Sequence, residues 1–179
     1  MLKKLRLKYA EEILNKEVQE FVRQVRFCNF DTVKRVGIVY LYSDKLSQGM
    51  NDLLVFLNTR QIKVHTMSYS PASSIPSDFL LSIHKFIFCK RRVNWRYRPK
   101  DKEVHQFINM PFDMLIDFTR CREFPIHYVV SLSRAAMKIG RNSYDGNPYD
   151  FVMSIPEKEN DTFYMKQLKH YLDSIVIKD

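Results

Sequence analysis

The densest chemistry in the chain lies between Lys85 and Lys102. Lys85, Lys90, Arg91, Arg92, Arg96, Arg98, Lys100 and Lys102 stand there against Asp101 alone, and Trp95 and Tyr97 alternate with arginines. Cations hold phosphates and flat rings stack on bases. The composition therefore suits single-stranded nucleic acid, with Arg91, Arg92, Trp95, Arg96 and Arg98 as the contacting set. The same pattern fits a loop anchored to the domain by its aromatic side chains, in which case Trp95 sits in the core and its emission is blue-shifted.

Three aspartates form the second group. Asp113 and Asp150 occupy matching places in Pro111-Phe-Asp-Met-Leu-Ile-Asp-Phe and Pro148-Tyr-Asp-Phe-Val-Met-Ser-Ile. Each opens an apolar run that reads as a strand. Carboxylates at strand starts lie at the sheet edge opposite the usual ligand site, so these two are expected to bond donors in turns rather than to catalyse. Asp117 lies near the far end of its run, with Thr119, Arg120 and Arg122 close behind. A carboxylate and two guanidiniums at that end fit a polar or phosphorylated ligand; they fit a buried ion pair as well. The five histidines, His65, His84, His105, His127 and His170, show no metal-binding spacing. There is no GxSxG elbow, no Walker loop and no GxGxxG among the four glycines. No catalytic residue, metal ligand or cofactor is assigned.

The elements that must position these residues alternate. Residues 2–26 read as a helix with a loose stripe of Leu2, Leu5, Tyr9, Ile13, Val18, Phe21, Val22 and Val25. Lys3, Lys4, Arg6 and Lys8 crowd its amino end and oppose the macrodipole. Residues 33–42 are nearly all apolar, as in a strand covered on both faces. A helix over 45–58, capped by Ser43 or Asp44, and a strand at 61–69 complete a βαβ unit. Further strands are expected near 86–90, 112–118 and 150–155, with a short one at 137–140. Helices are expected over 102–109, 124–135 and 160–177, the last capped by Asn160 or Asp161. Alternation of this kind predicts one open, doubly wound, mostly parallel Rossmann-like sheet at 33–179, preceded by an amino-terminal helical segment at 1–32. Ligands of such sheets lie beyond the carboxyl ends of the strands. Ser43, Asp44, Asp117, Thr119, Arg120 and Arg122 fall there and form the candidate ligand set.

A chain of 179 residues, 45% of them hydrophobic, can build one core, and its net charge of +9 favours an anionic small molecule or nucleic acid as partner. Cys28, Cys89 and Cys121 are odd in number and widely spaced, and read as free thiols of a reducing compartment. The charged start lacks the apolar stretch of a signal peptide, and no run of about 20 apolar residues occurs. A cytoplasmic protein without membrane insertion is expected.

Trp95, the helix from Lys102 to Asn109, Pro111-Phe-Asp-Met-Leu-Ile-Asp-Phe and Ser131-Leu-Ser-Arg-Ala-Ala-Met-Lys-Ile-Gly together resemble a family of small, uncharacterised bacterial proteins, from about residue 33 onward. That resemblance implies the fold and a bacterial origin, and supplies no site residues. Phe112-Asp-Met-Leu-Ile-Asp-Phe and Leu132-Ser-Arg-Ala-Ala-Met-Lys-Ile-Gly-Arg are also similar to the amino-terminal half of heptosyltransferase-type glycosyltransferases. The loop from Ser43 lacks that family's G-D-V-type motif, and the 179 residues hold no counterpart of its nucleotide-sugar domain. The expected function is non-catalytic binding or interaction. The alternatives are an enzyme or enzyme relic of glycosyltransferase-like fold, and a nucleic-acid binder acting through residues 85–102.

Overall fold

Valine, isoleucine and methionine runs too apolar to face water on either side pair into a single sheet. The computed structural model describes residues 2–43, 45–75 and 85–175. In chain order it contains α1 (Leu2–Glu20), β1 (Arg35–Leu41), α2 (Gln48–Thr59), β2 (Lys63–Ser70), β3 (Lys85–Cys89), α3 (Lys102–Asn109), β4 (Met114–Asp117), α4 (Phe124–Leu132), β5 (Met137–Gly140), β6 (Phe151–Val152) and α5 (Asp161–Ser174). The six strands are all parallel, in the order β3-β2-β1-β4-β5-β6. β1 is central, with Ile38 opposite Thr66 on one side and Ile116 on the other. Strand order reverses between β1 and β4, which makes a crevice at their carboxyl ends.

Successive side chains of a strand point to opposite faces, and the two faces carry separate cores. Val36, Ile38, Tyr40, Met114, Ile116 and Ile139 pack under α2 and α5, together with Leu53, Leu57, Tyr164 and Leu168. Val39, Met67, Phe88 and Leu115 pack under α1, α3 and α4. The doubly wound arrangement is as the alternation predicts. α4 is buried nearly all round, from Phe124 to Ser131.

Several boundaries move. α1 ends at Glu20 rather than 26, and its buried residues are Ala10 and Leu14, with Leu2, Leu5, Tyr9 and Val18 exposed. Only one flank of this helix touches the domain, so the outward apolar residues dilute the periodic signal. α2 starts three residues later than expected, because Ser47 rather than Ser43 accepts from a first-turn amide, that of Met50. β6 has two residues, and Asn160 caps α5 through the amide of Phe163. Of the three cysteines, Cys121 is exposed while Cys28 and Cys89 are buried.

After α1 the chain crosses the amino-terminal edge of the sheet as a strap, 21–29. The Arg26 amide donates to Ala136 O at 3.0 Å, and the Arg23 guanidinium donates to Ala135 O and Ala136 O at 3.0 and 3.1 Å. No described helix is long and apolar enough to cross a membrane.

Candidate functional site

The crevice at the switch in strand order is built by two loops. Beyond β1, the Tyr42 amide still donates to Tyr69 O, and the Ser43 hydroxyl then donates to Lys45 O at 2.7 Å, turning the chain toward α2. Beyond β4, the Phe118 amide donates to Val39 O at 2.8 Å, and Thr119, Arg120 and Cys121 leave the sheet. Between the loops lies a cavity of about 370 Å³, floored by buried Tyr40, Met50 and Phe118 and edged by Ser43, Lys45, Ser47, Thr119, Arg120 and Asp161. Gly49, in the first turn of α2, brings that turn against α5: a Cβ there would lie 2.1 Å from Asp161 O. Two helix amino termini therefore meet beside the cavity.

Asp161 takes Arg141 at 2.5 Å and Arg120 at 2.8 Å. Burial pushes its carboxyl up, but the Ser47 hydroxyl, the Arg141 hydrogen bond and the two guanidinium charges outweigh that and hold it below the usual range. Arg141 is buried and held in place, since it also donates to Glu159 O and lies 5.1 Å over the Tyr164 ring. Arg120 is half exposed and keeps free donors toward the cavity mouth. Cys121 is an exposed thiol at the rim, its pKa raised by burial and then by Glu123 and Asp117. Among the described residues the cavity wall offers no histidine, and its one carboxylate is held by two arginines. The wall therefore presents the cations Lys45 and Arg120 beside the hydroxyls of Ser43, Ser47 and Thr119.

Ser43, Thr119 and Arg120 thus come together as the sequence suggests, and Asp44 lies outside the described residues. Asp117 and Arg122 do not join them, and the expected Asp117 ion pair does not form. Arg120 turns to Asp161, and Arg122 reaches Glu11 of α1 at 2.8 Å. Asp117 points to the opposite face of the sheet, where its Oδ1 accepts from the amide and hydroxyl of Thr119 at 2.8 and 2.7 Å, and its Oδ2 from the Tyr149 hydroxyl at 2.8 Å. The chain of contacts runs on from Tyr149 to Tyr144 at 3.5 Å and from Tyr144 to His127 Nδ1 at 3.0 Å. Burial raises the Asp117 pKa against its three hydrogen bonds. Burial, then Arg122 and Lys138, lowers that of His127 to about 4. This buried row fixes the turn that delivers Thr119 to the cavity. Gly140 permits it: a Cβ there would lie 2.2 Å from the Tyr149 ring.

The residues that sequence reasoning missed are Lys45, Ser47, Cys121 and Asp161. The first three lie in the loops that follow β1 and β4, and that position is their only signal. Asp161 is legible only as a helix-capping candidate, because the arginines that make it part of the site lie 41 and 20 residues away in sequence.

Asp113 and Asp150 bond the donors expected of them. Asp113 Oδ2 accepts from the amides of Lys34 and Arg35 at 2.9 Å each, where β1 begins, and Asp150 Oδ2 accepts from the Lys138 amide at 2.7 Å in β5. Their other oxygens take Arg26 and Arg23 of the strap.

The basic segment forms a tight loop closed by a bridge between Val93 and Pro99. Asn94 Oδ1 accepts from the amides of Arg96 and Arg98 and puts Trp95 at the tip. Trp95 is 55% exposed, which corrects the expectation of a core anchor. Its ring lies parallel to Tyr9 of α1, at 5.8 Å between centroids, with the Arg96 guanidinium 4.8 Å over it. Arg92 pairs with Asp101, and Arg98 with Glu17, while Arg91 is exposed.

A family model matches residues 6–175, from the first turns of α1 through the end of α5. The chain belongs to a family of unknown function (DUF6913). The DUF6913 match takes in both sheet faces, the strap and the crevice, and agrees with the resemblance to an uncharacterised family. No curated protein and no solved structure matches the chain, so the likeness to heptosyltransferases has no counterpart in these comparisons.

Proposed function

We infer that the domain is a non-catalytic binding module for a phosphate-bearing small molecule, held in the crevice between the ends of β1 and β4. The observation that carries this reading is the position of the 370 Å³ cavity where strand order reverses, with Arg120 half exposed over it and Ser43, Lys45 and the amino end of α2 at its edge. The locked state of Asp161 supports binding rather than acid–base chemistry. Three free thiols accord with the bacterial cytoplasm that the family resemblance implies.

Cys121 supplies the test, since it is the exposed cysteine and stands on the cavity rim. Inorganic phosphate, AMP and glucose 6-phosphate, each beside its unphosphorylated counterpart, are added during alkylation of the native protein. The reading expects at least one phosphorylated probe to slow Cys121 modification and raise the melting temperature, and Arg120→Ala to abolish both effects. Equal protection by the unphosphorylated counterparts, or none by any probe, sinks it.

A further inference from the structure

The crevice leaves the Trp95 segment unexplained, and a second concavity lies beside it. A groove of about 720 Å³ runs between α1, the loop after β3 and the start of α4. Buried Tyr69 and Phe124 floor it and half-buried Tyr97 edges it, with Arg6, Lys90 and Arg122 as its cations against Glu123. Arg6 links the groove to the loop tip, because its Nε donates to Trp95 O at 2.6 Å and its guanidinium lies 4.8 Å over Tyr97. The parallel rings of Tyr9 and Trp95, 44% and 55% exposed, continue the same track outward, with Arg96 across them.

Charge separates a docking track from an anchored loop. Glu11, Glu17 and Asp101 are taken by Arg122, Arg98 and Arg92. Among the described residues no carboxylate lies within ion-pair distance of Arg6, Lys90, Arg91 or Arg96. The first turn of α1 has no acidic residue to offset its lysines and arginine. Cations gathered at a helix amino end, against its dipole, are stabilised by an anionic partner. An anchored loop has no need of exposed rings or of unmatched charge, whereas a polyanion with flat apolar faces meets both.

We propose that this groove, with the Tyr9–Trp95 platform at its lip, is a binding track for single-stranded nucleic acid. Phosphates lie along Arg6, Lys90, Arg91 and Arg96, and unpaired bases stack on exposed Tyr9 and Trp95, which a duplex cannot do because its bases are already stacked. This inference stands apart from the reading of the crevice.

The single tryptophan reports binding directly. The full chain is titrated with short oligo(dT) and oligo(U), with duplex DNA of equal length, and with phosphatidylcholine–phosphatidylserine vesicles. The expected result is an exposed, red-shifted Trp95 emission that both single strands quench, with an affinity that falls steeply as salt rises. Arg96→Ala should lower the log–log salt slope by about 0.7, the value for one phosphate on a single strand. Trp95→Ala, followed with labelled oligonucleotide, should weaken binding about 5- to 150-fold with the slope unchanged, and Trp95→Phe should restore much of the loss. Lys90→Glu with Arg91→Glu changes exposed side chains only, and keeps the test decisive where Trp95→Ala unfolds the loop; it should weaken binding about tenfold or more at low salt. Indifference of the emission to oligonucleotide at low salt overturns the proposal. So does equal affinity for duplex, and so does a response to vesicles without one to single strands, which would make exposed Leu2 and Leu5 part of a lipid contact instead.

Discussion

Without the Asp113 carboxylate, the amides of Lys34 and Arg35 lose their acceptor just where the central strand begins. Asp113→Ala is therefore expected to lower unfolding free energy by about 1–3 kcal/mol. Urea denaturation checks this, and parent-like stability would remove the role. Asp113 was legible because its repeat with Asp150 marks two strand starts. Asp117 was misread because sequence proximity to Arg120 and Arg122 says nothing of which face of β4 a side chain takes. His127 carries a pH dependence. Its folded pKa, about 4, lies below the ordinary 6.5, so the unfolded chain takes a proton first as pH falls. The neutral ring's contribution is whole above about 6.5 and is lost toward 4, by up to about 3 kcal/mol. The raised pKa of Asp117 acts in the opposite sense, its contribution being present at low pH and lost as pH rises. His127→Gln compared with the parent at each pH isolates the histidine, and should show a shallower acid loss; parallel curves would refute it. Lys138 is buried on β5, donates to Ser131 O at 2.8 Å, and has its pKa lowered to about 7 by burial and then by Arg23. The unfolded chain holds that proton up to about 10.5, so stability falls as pH drops from there to about 7. Lys138→Met should stabilise the protein at neutral pH by on the order of 1 kcal/mol, read from the same denaturation curves.

α2 and α5 meet at their first turns, and that contact shapes the crevice. Gly49→Ala would drive a methyl into the backbone of Asp161 and Thr162. Overpacking of this kind costs about 1–3 kcal/mol, and here it should also separate Asp161 from Ser47 and widen the cavity. The expected outcome is a lower melting temperature together with faster alkylation of Cys121; unchanged values of both would show that the two helices adjust freely. β1, β4 and α4 were legible as apolar runs buried on all sides, and α3 and α5 because each buries one face at the helical period, whereas β6, with two half-buried residues, is shorter than its apolar run. α1 was legible as a helix but not in its end or its inward face, since Ala10 and Leu14 are the buried residues among those described and outward Leu2, Leu5 and Tyr9 dilute the periodic signal. The loop from 42 to 47 hid the true cap, because Ser43 and Ser47 are equally good caps and only the path of the chain chooses between them.

At the scale of the whole molecule, alternating periods gave the layers but not the strand order. Nothing in a strand's own composition says that β1 lies between β2 and β4; that follows from how helices divide between two faces. The carboxyl edge carries the crevice and the groove, and the amino edge carries the strap with Asp113 and Asp150. The strap has a consequence for synthesis. Arg26 and Arg23 leave the ribosome early, but Asp113 and Asp150 follow 87 and 127 residues later. A nascent chain halted before residue 150 should hold β1 and β4 together yet leave Arg23 without its carboxylate and β5 without its amide acceptor. Limited trypsin digestion of arrested chains should accordingly cut at Arg23 until the segment around Asp150 has emerged, after which that site closes; protection of Arg23 that appears earlier would show the strap seating without it.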